Sequence, residues 1–120
     1  TSNESGRQEV YVASFPVPSS KWPVSTNGGV LPRWRGDGRE IFYFEAGNSR
    51  VMAAGGTREG AALRIGTVRP LFNVRPAGNR KFWDVSPDGQ RFLVNTALAA
   101  PDEAPLTLLV NWSALLPPER

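Results

Sequence analysis

Short apolar runs alternate with turns rich in Gly, Pro and Asn along the whole of this chain, which has 12 Gly and 11 Pro. No run keeps the 3.6-residue period of an amphipathic helix, and the apolar runs are rich in Val, Ile and aromatic residues. This pattern predicts short strands joined by tight turns. The predicted strands are residues 9–15, 21–25, 30–34, 40–45, 50–54, 62–68, 80–85, 91–96 and 106–112, and a glycine-rich loop is predicted at 55–60.

Two of these strands are apolar on successive residues rather than on alternate ones. They contain Ile41-Phe42-Tyr43-Phe44 and Leu108-Leu109-Val110. Because neighbouring side chains of a strand point to opposite faces, such a run predicts burial on both faces of the sheet. A two-sheet sandwich leaves one face of each sheet in water, so the pattern favours stacked sheets in which both faces of every inner sheet are covered. A short buried strand of a sandwich would give the same pattern.

An internal repeat gives these strands an order. Asp37-Gly38 and Asp88-Gly89 are 51 residues apart, and each is preceded by an apolar residue and followed by an aromatic-rich strand. A period near 40–50 residues is typical of β-propeller blades. We therefore predict an all-β fold, a partial β-propeller of about two and a half four-stranded antiparallel blades. Within one domain, 1–120, residues 9–25 form half a blade, 30–72 a full blade and 80–112 an incomplete one.

Residues 32–43 resemble the Trp-Ser-x-Asp-Gly-x-x-Ile/Leu-x-Tyr core of TolB-like, WD-repeat-like bacterial β-propellers. Residues 84–93 form a second, closer copy, and residues 106–112 are similar to the closing strand of propellers at the C-terminus of some bacterial Ser/Thr kinases. The resemblance implies an extracytoplasmic or periplasmic recognition domain, and it transfers no catalytic residue. Gly36 departs from the repeat pattern, which predicts a looser first turn.

Composition removes several kinds of chemistry. The chain has no Cys and no His, so it has no disulfide, thiolate nucleophile or imidazole base. Its net charge of +3 is spread among carboxylates, which favours a solvated basic surface over a nucleic-acid interface. No apolar run reaches the ~20 residues that cross a bilayer, and no cleavable signal is visible. We expect no cofactor, no metal and no catalytic residue.

The two Asp-Gly pairs are predicted to be structural turns, because Asp bonds the backbone of its own turn while Gly accepts a positive φ. If the chain binds a ligand, polar residues of the loops at one end of the propeller channel are the candidates. Arg and Asn suit carboxylates, phosphates or peptide groups. The candidate ligand-binding residues are Arg33, Asn48, Arg50, Asn79, Arg80 and Lys81, with Asn27 in the same set of loops.

The four tryptophans divide into two groups. Trp34 and Trp112 are predicted to fill the space between neighbouring blades, whereas Trp22 and Trp83 are better candidates for a sugar-stacking surface.

Three functions remain open. The first is a binding or sensor module for a protein, a peptide or a small anionic ligand. The second is the accessory propeller of a Ser/Thr kinase or peptidase whose catalytic residues lie elsewhere. The third is a self-assembling unit that binds glycans. The partner is then another protein, the remainder of its own chain, or further copies in a homo-oligomer.

Overall fold

The computed structural model describes residues 1–78 and 81–98. This part of the chain is all-β and contains three antiparallel sheets that follow one another along the sequence: β1-β2, β3-β4-β5-β6 and β7-β8. The predicted strand 106–112 lies outside the described residues. The strands are β1 Tyr11–Ala13, β2 Lys21–Pro23, β3 Val30–Trp34, β4 Glu40–Glu45, β5 Arg50–Glu59, β6 Ala62–Asn73, β7 Trp83–Val85 and β8 Phe92–Val94, with a 3₁₀ turn at Ala46–Asn48.

The bounds of β3 and β4 coincide with the prediction, but the predicted loop at 55–60 is wrong. β5 continues through its glycines to Glu59, and its register with β6 includes Gly56 opposite Ile65. A register shift between Ala54 and Gly56 absorbs the irregularity of the glycine pair, as β-bulges do. The reversal is confined to Gly60, at φ +64°, and its neighbour. The full sheet therefore extends further than its apolar residues indicate.

The predicted burial of β4 on both faces is confirmed. Phe42 and Phe44 pack toward the β7-β8 sheet, while Ile41 and Tyr43 pack toward the β1-β2 sheet, and all four are at most 6% exposed. Each such side chain contributes about 1.5–3 kcal/mol on burial. The sheet formed by β3–β6, the middle sheet, is thus covered by a second sheet on one face and by a third on the other.

The two covered faces form two layers of core. We call the one against β7-β8 the aromatic layer, because rings meet edge to face within it: Phe42 lies 5.2 Å from Phe92, and Phe44 lies 4.8 Å from Phe82. We call the one against β1-β2 the aliphatic layer. Its buried residues are Val10, Val24, Ile41, Tyr43, Met52 and Ala54.

A β-bulge in β3 decides which of its side chains face the aromatic layer. Val30 pairs with Phe44, whereas Arg33 pairs with Phe42, so β3 contains one extra residue between these pairs. Leu31, within the bulge, has a left-handed φ of +53°, which costs a non-glycine residue about 1–2 kcal/mol. Since a one-residue shift exchanges the two faces of a strand, the bulge places Arg33 on the aromatic side and Trp34 on the opposite side.

The predicted burial of Trp34 is therefore wrong. Its side chain is 48% exposed, because the bulge turns it to the face that β1-β2 covers only in part. Trp83, which was a candidate for a sugar-stacking surface, is instead buried within the aromatic layer, at 4% exposure. Trp112 lies outside the described residues.

Both Asp-Gly turns close in the same way. In the first, Gly38 N donates to Arg35 O at 2.9 Å, and Asp37 Oδ1 accepts from the backbone N–H two residues on at 3.0 Å. In the second, Gly89 N donates at 2.8 Å to the O three residues earlier, and Asp88 Oδ1 accepts at 3.0 Å. The glycines have φ of +71° and +70°. The second turn has two further hydrogen bonds, from Ser86 Oγ to Asp88 Oδ1 and from Arg91 N to Ser86 Oγ, so the first turn shares its backbone geometry but has fewer side-chain hydrogen bonds.

The glycine at position 36 has a packing explanation. Gly36 N donates to Pro87 O at 2.8 Å, so the two equivalent turns are joined directly. A Cβ at position 36 would lie 2.7 Å from Pro87 O, closer than real Cβ contacts occur. Gly36, which departs from the repeat pattern, therefore allows the close contact between these two turns.

Candidate functional site

Two polar regions adjoin the core layers, and the first is a groove on the side of the aromatic layer. Its volume is about 260 Å³. Strand β3 supplies Arg33, the segment entering β7 supplies Lys81, and β7, β8 and their flanking residues supply the remaining wall. We call this region the cationic groove, and its lining residues are Arg33, Lys81, Phe82, Trp83, Asp84, Leu93 and Asn95.

Arg33 is held in the cationic groove by three contacts. Its guanidinium carbon lies 5.9 Å from the centroid of the Trp83 ring, and Nη1 donates to Pro32 O at 3.0 Å. Nε lies 3.5 Å from Asp84 Oδ1, but that carboxylate is 70% exposed, so solvent screens the pair. Lys81 is exposed and adds a second cation. Two cations against one screened carboxylate leave the groove with a net positive charge.

Trp83 forms the floor of the cationic groove. Its indole is stacked on Phe92, at 6.2 Å between centroids and 27° between planes, and Arg33 lies over its ring. With the side chain 4% exposed, neither ring face is open to a sugar. Within the described part of the chain, its buried Nε1 has no hydrogen-bond partner. An unpaired buried donor costs about 1–3 kcal/mol, so an acceptor that reached it would stabilise the fold.

The second polar region surrounds Glu45, at the end of β4. This carboxylate is 3% exposed and accepts from Asn27 Nδ2 at 3.2 Å, Asn48 Nδ2 at 2.7 Å and Arg50 Nε at 2.6 Å. Burial would raise the pKa of Glu45, but these hydrogen bonds and the charge of Arg50 outweigh it and hold the pKa below the ordinary value. The group therefore stays ionised, and the charge of Arg50 is matched within the protein.

A second buried carboxylate, Glu9, lies on the same side of the middle sheet. It accepts from Ser25 Oγ, from Gly28 N at 2.9 Å and from Arg7 Nε at 2.9 Å. Burial would raise the pKa of Glu9, but these donors together lower it. Both carboxylates act on Tyr43. Burial, as the largest cause, and then the negative charges of Glu45 and Glu9 raise the pKa of Tyr43 to about 12.

The loops around Glu45 line a cavity of about 510 Å³. One wall comes from the segment before β3 and the other from the 3₁₀ turn after β4. We call it the amide cavity, because three carboxamide side chains line it. Its lining residues are Arg7, Gln8, Asn27, Gly28, Gly29, Val30, Ala46, Gly47 and Asn48.

The structure divides the predicted ligand-binding residues between these two regions. Arg33 and Lys81 meet in the cationic groove, whereas Asn48 and Arg50 converge on Glu45. Asn79 and Arg80 lie outside the described residues. Glu45 and Glu9 were missed by sequence reasoning. The only signal for Glu45 is its place at the end of a fully apolar run, where the strand pattern predicts burial.

Within residues 1–78 and 81–98, no group of three or more Asp and Glu side chains converges. Trp22 lies apart from Trp83, in a groove that it shares with Phe15 and Leu63. The two tryptophans therefore do not share one stacking surface. The cationic groove thus has Arg33 over an indole and Lys81 beside it, and the amide cavity has side-chain amides fixed by Glu45.

Comparison with known proteins gave no match: no protein-family model, curated protein or solved structure is significantly similar to this chain. In the part of the chain that the structure describes, no helix is both long and apolar enough to span a bilayer.

Proposed function

We propose that this chain is part of a β-propeller and works as a non-catalytic binding module whose ligand carries an anionic group. The propeller reading is supported by the 51-residue spacing of the two Asp-Gly turns and by their direct contact. It is also supported by three successive antiparallel sheets, of which the middle one is covered on both faces.

The observation that carries the ligand class is that Arg33, which lies over Trp83, and Lys81 line one groove. Arg33 comes from β3 and Lys81 from the segment entering β7, so the groove exists only when the two sheets are packed together. Arg33 is already oriented by the indole and by Pro32 O, which lowers the entropic cost of binding. Its planar fork suits a carboxylate or phosphate, and Lys81 adds a mobile ammonium.

Phosphate titration tests the proposal. The experiment uses inorganic phosphate and follows backbone amide shifts by NMR at low ionic strength. Wild-type protein is expected to show saturable shifts around Lys81 and Trp83. A charge-assisted hydrogen bond contributes about 1.5–3 kcal/mol, so Lys81→Gln should weaken binding by about tenfold or more.

The matched control is Arg64→Gln, which removes one exposed cation from β6, where Arg64 Nε lies 3.8 Å from Glu59. This variant should bind phosphate like the wild type. Asp84→Asn keeps the side-chain oxygen that accepts from Val85 N but removes the competing charge, so it should bind more tightly. Equal losses in Lys81→Gln and Arg64→Gln would indicate only a diffuse basic surface and would overturn the proposal.

A further inference from the structure

We propose that the amide cavity is a second binding site and that it takes a peptide group of an extended polypeptide. This inference goes beyond the cationic groove, because it concerns other residues and an uncharged ligand group. It starts from the way in which Glu45 orients the amides of Asn27 and Asn48.

Glu45 removes the usual rotational freedom of these two amides. An ionised carboxylate only accepts hydrogen bonds, so each Asn must present Nδ2 to it and turn Oδ1 away. Within the described residues, no hydrogen bond is made to either Oδ1. Each amide therefore keeps Oδ1 and the second N–H of Nδ2 for another partner.

Each amide thus retains an acceptor and a donor, which suit the N–H and C=O groups that an extended main chain presents. The two amides come from different walls, Asn27 from the loop before β3 and Asn48 from the 3₁₀ turn. A chain lying in the cavity would thus meet one amide on each side.

The charges near the cavity favour a neutral ligand. Glu45 is matched by Arg50, and Glu9 by Arg7, so neither carboxylate is left to attract an ammonium group. Arg7 is also tied to Thr26 O through Nη2 at 2.8 Å. The cavity therefore differs from the cationic groove in charge as well as in position.

Glycines leave the backbone of the walls accessible. A Cβ at Gly47 would meet no atom within 4 Å, and this residue does not have a positive φ. Gly47→Val therefore obstructs the cavity while leaving Glu45 and its hydrogen bonds intact. Gly55→Val is the matched control, since a Cβ there also meets nothing and Gly55 is not part of the cavity wall.

The experiment uses N-acetyl-triglycine amide, which has peptide groups but no charge and no side chain. Binding is followed through the ¹⁵N–¹H side-chain signals of Asn27 and Asn48. We expect saturable shifts of both amides, a loss of about tenfold or more in Gly47→Val, and wild-type binding in Gly55→Val. Maltotriose and methylammonium, tested at the same concentrations, should give no saturable shift.

Several results would overturn the inference. They are no saturable shift with the blocked peptide, stronger binding of maltotriose or methylammonium, or equal binding by Gly47→Val and wild type. Phosphate titration of the same variants separates this site from the cationic groove: Gly47→Val should keep the phosphate response of Lys81, and Lys81→Gln should keep the peptide response of the two asparagines.

Discussion

The aromatic and aliphatic layers pack against opposite faces of the same two strands, β4 and β5. The charged group beside the aromatic layer is a cation, Arg33, whereas the one beside the aliphatic layer is a carboxylate, Glu45. On the aromatic side, the bulge at Leu31 places Arg33 over Trp83. On the aliphatic side, the alternation that buries Ile41 and Tyr43 continues to Glu45, a buried carboxylate.

This difference shows how one strand pair can serve two kinds of site. A cation can lie across an indole at the edge of the aromatic layer, because a ring face attracts it and water still reaches its charge. A carboxylate at the end of the aliphatic layer is fully buried, so it needs donors from the loops, and it thereby orients them.

Truncation in the aromatic layer should be the most costly change. Phe42→Ala removes a ring that is 1% exposed and is packed edge to face on Phe92, so we expect a loss of about 3–5 kcal/mol in the free energy of unfolding. Met52→Ala, on the opposite face of the middle sheet, removes a smaller and more adaptable side chain and should cost less, about 2–3 kcal/mol. Urea unfolding measures both. An equal or larger loss in Met52→Ala would contradict the ranking of the layers.

The fold was more predictable than the site, and the reasons are physical. Strand β4 and its turn follow from local signals, an unbroken apolar run and an Asp-Gly pair. The position of Arg33 does not, since it depends on a left-handed φ at Leu31, a residue type that rarely adopts one. Without the bulge, Trp34 would face the aromatic layer, as its size suggests.

The Glu45 cluster was unpredictable for a different reason. Its donors are a neighbouring arginine, an asparagine three residues away and an asparagine 18 residues away. Loop residues of this kind look the same in sequence whether they face solvent or a buried carboxylate. Only the folded structure shows that the charge of Arg50 is paired with that of Glu45.

The contact between equivalent turns should give the next largest effect. Gly36→Ala places a methyl group against Pro87 O and forces the first and second turns apart, which should cost about 1–3 kcal/mol. Gly55→Ala is the control, because its new methyl group meets no atom within 4 Å. Thermal unfolding of the two variants compares them directly. If both lose the same stability, the contact between the turns does not hold the aromatic layer together.

Acid should weaken the aliphatic layer. The pKa values of Glu9 and Glu45 are lowered in the folded protein, so their contribution is complete above their ordinary pKa of 4.5 and is lost as the pH falls through the lowered values. Glu9→Gln removes one of these groups. This variant should lower the free energy of unfolding by about 1–3 kcal/mol at neutral pH. Its stability should also fall less steeply with decreasing pH, which flattens the acid limb of the stability curve. Exposed Glu59→Gln, the control, should change neither. Unfolding free energies measured at a series of pH values test this, and an unchanged acid limb in Glu9→Gln would refute it.

The smallest effect at neutral pH is expected at Tyr43, whose alkaline titration tests the electrostatics of the aliphatic layer. The pKa of Tyr43 is about 12 in the folded protein against 10.0 ordinarily, because burial and the two carboxylates disfavour its phenolate. Its contribution is therefore complete below pH 10 and is lost as the pH rises toward 12. Tyr43→Phe should stay within about 0.5 kcal/mol of wild type at neutral pH, yet lose less stability on alkaline titration. Tyr11→Phe, at the other of the two tyrosines, is the control. If Tyr43→Phe loses as much stability as wild type between pH 10 and 12, neither burial nor the carboxylates raise the pKa of Tyr43 in the folded protein.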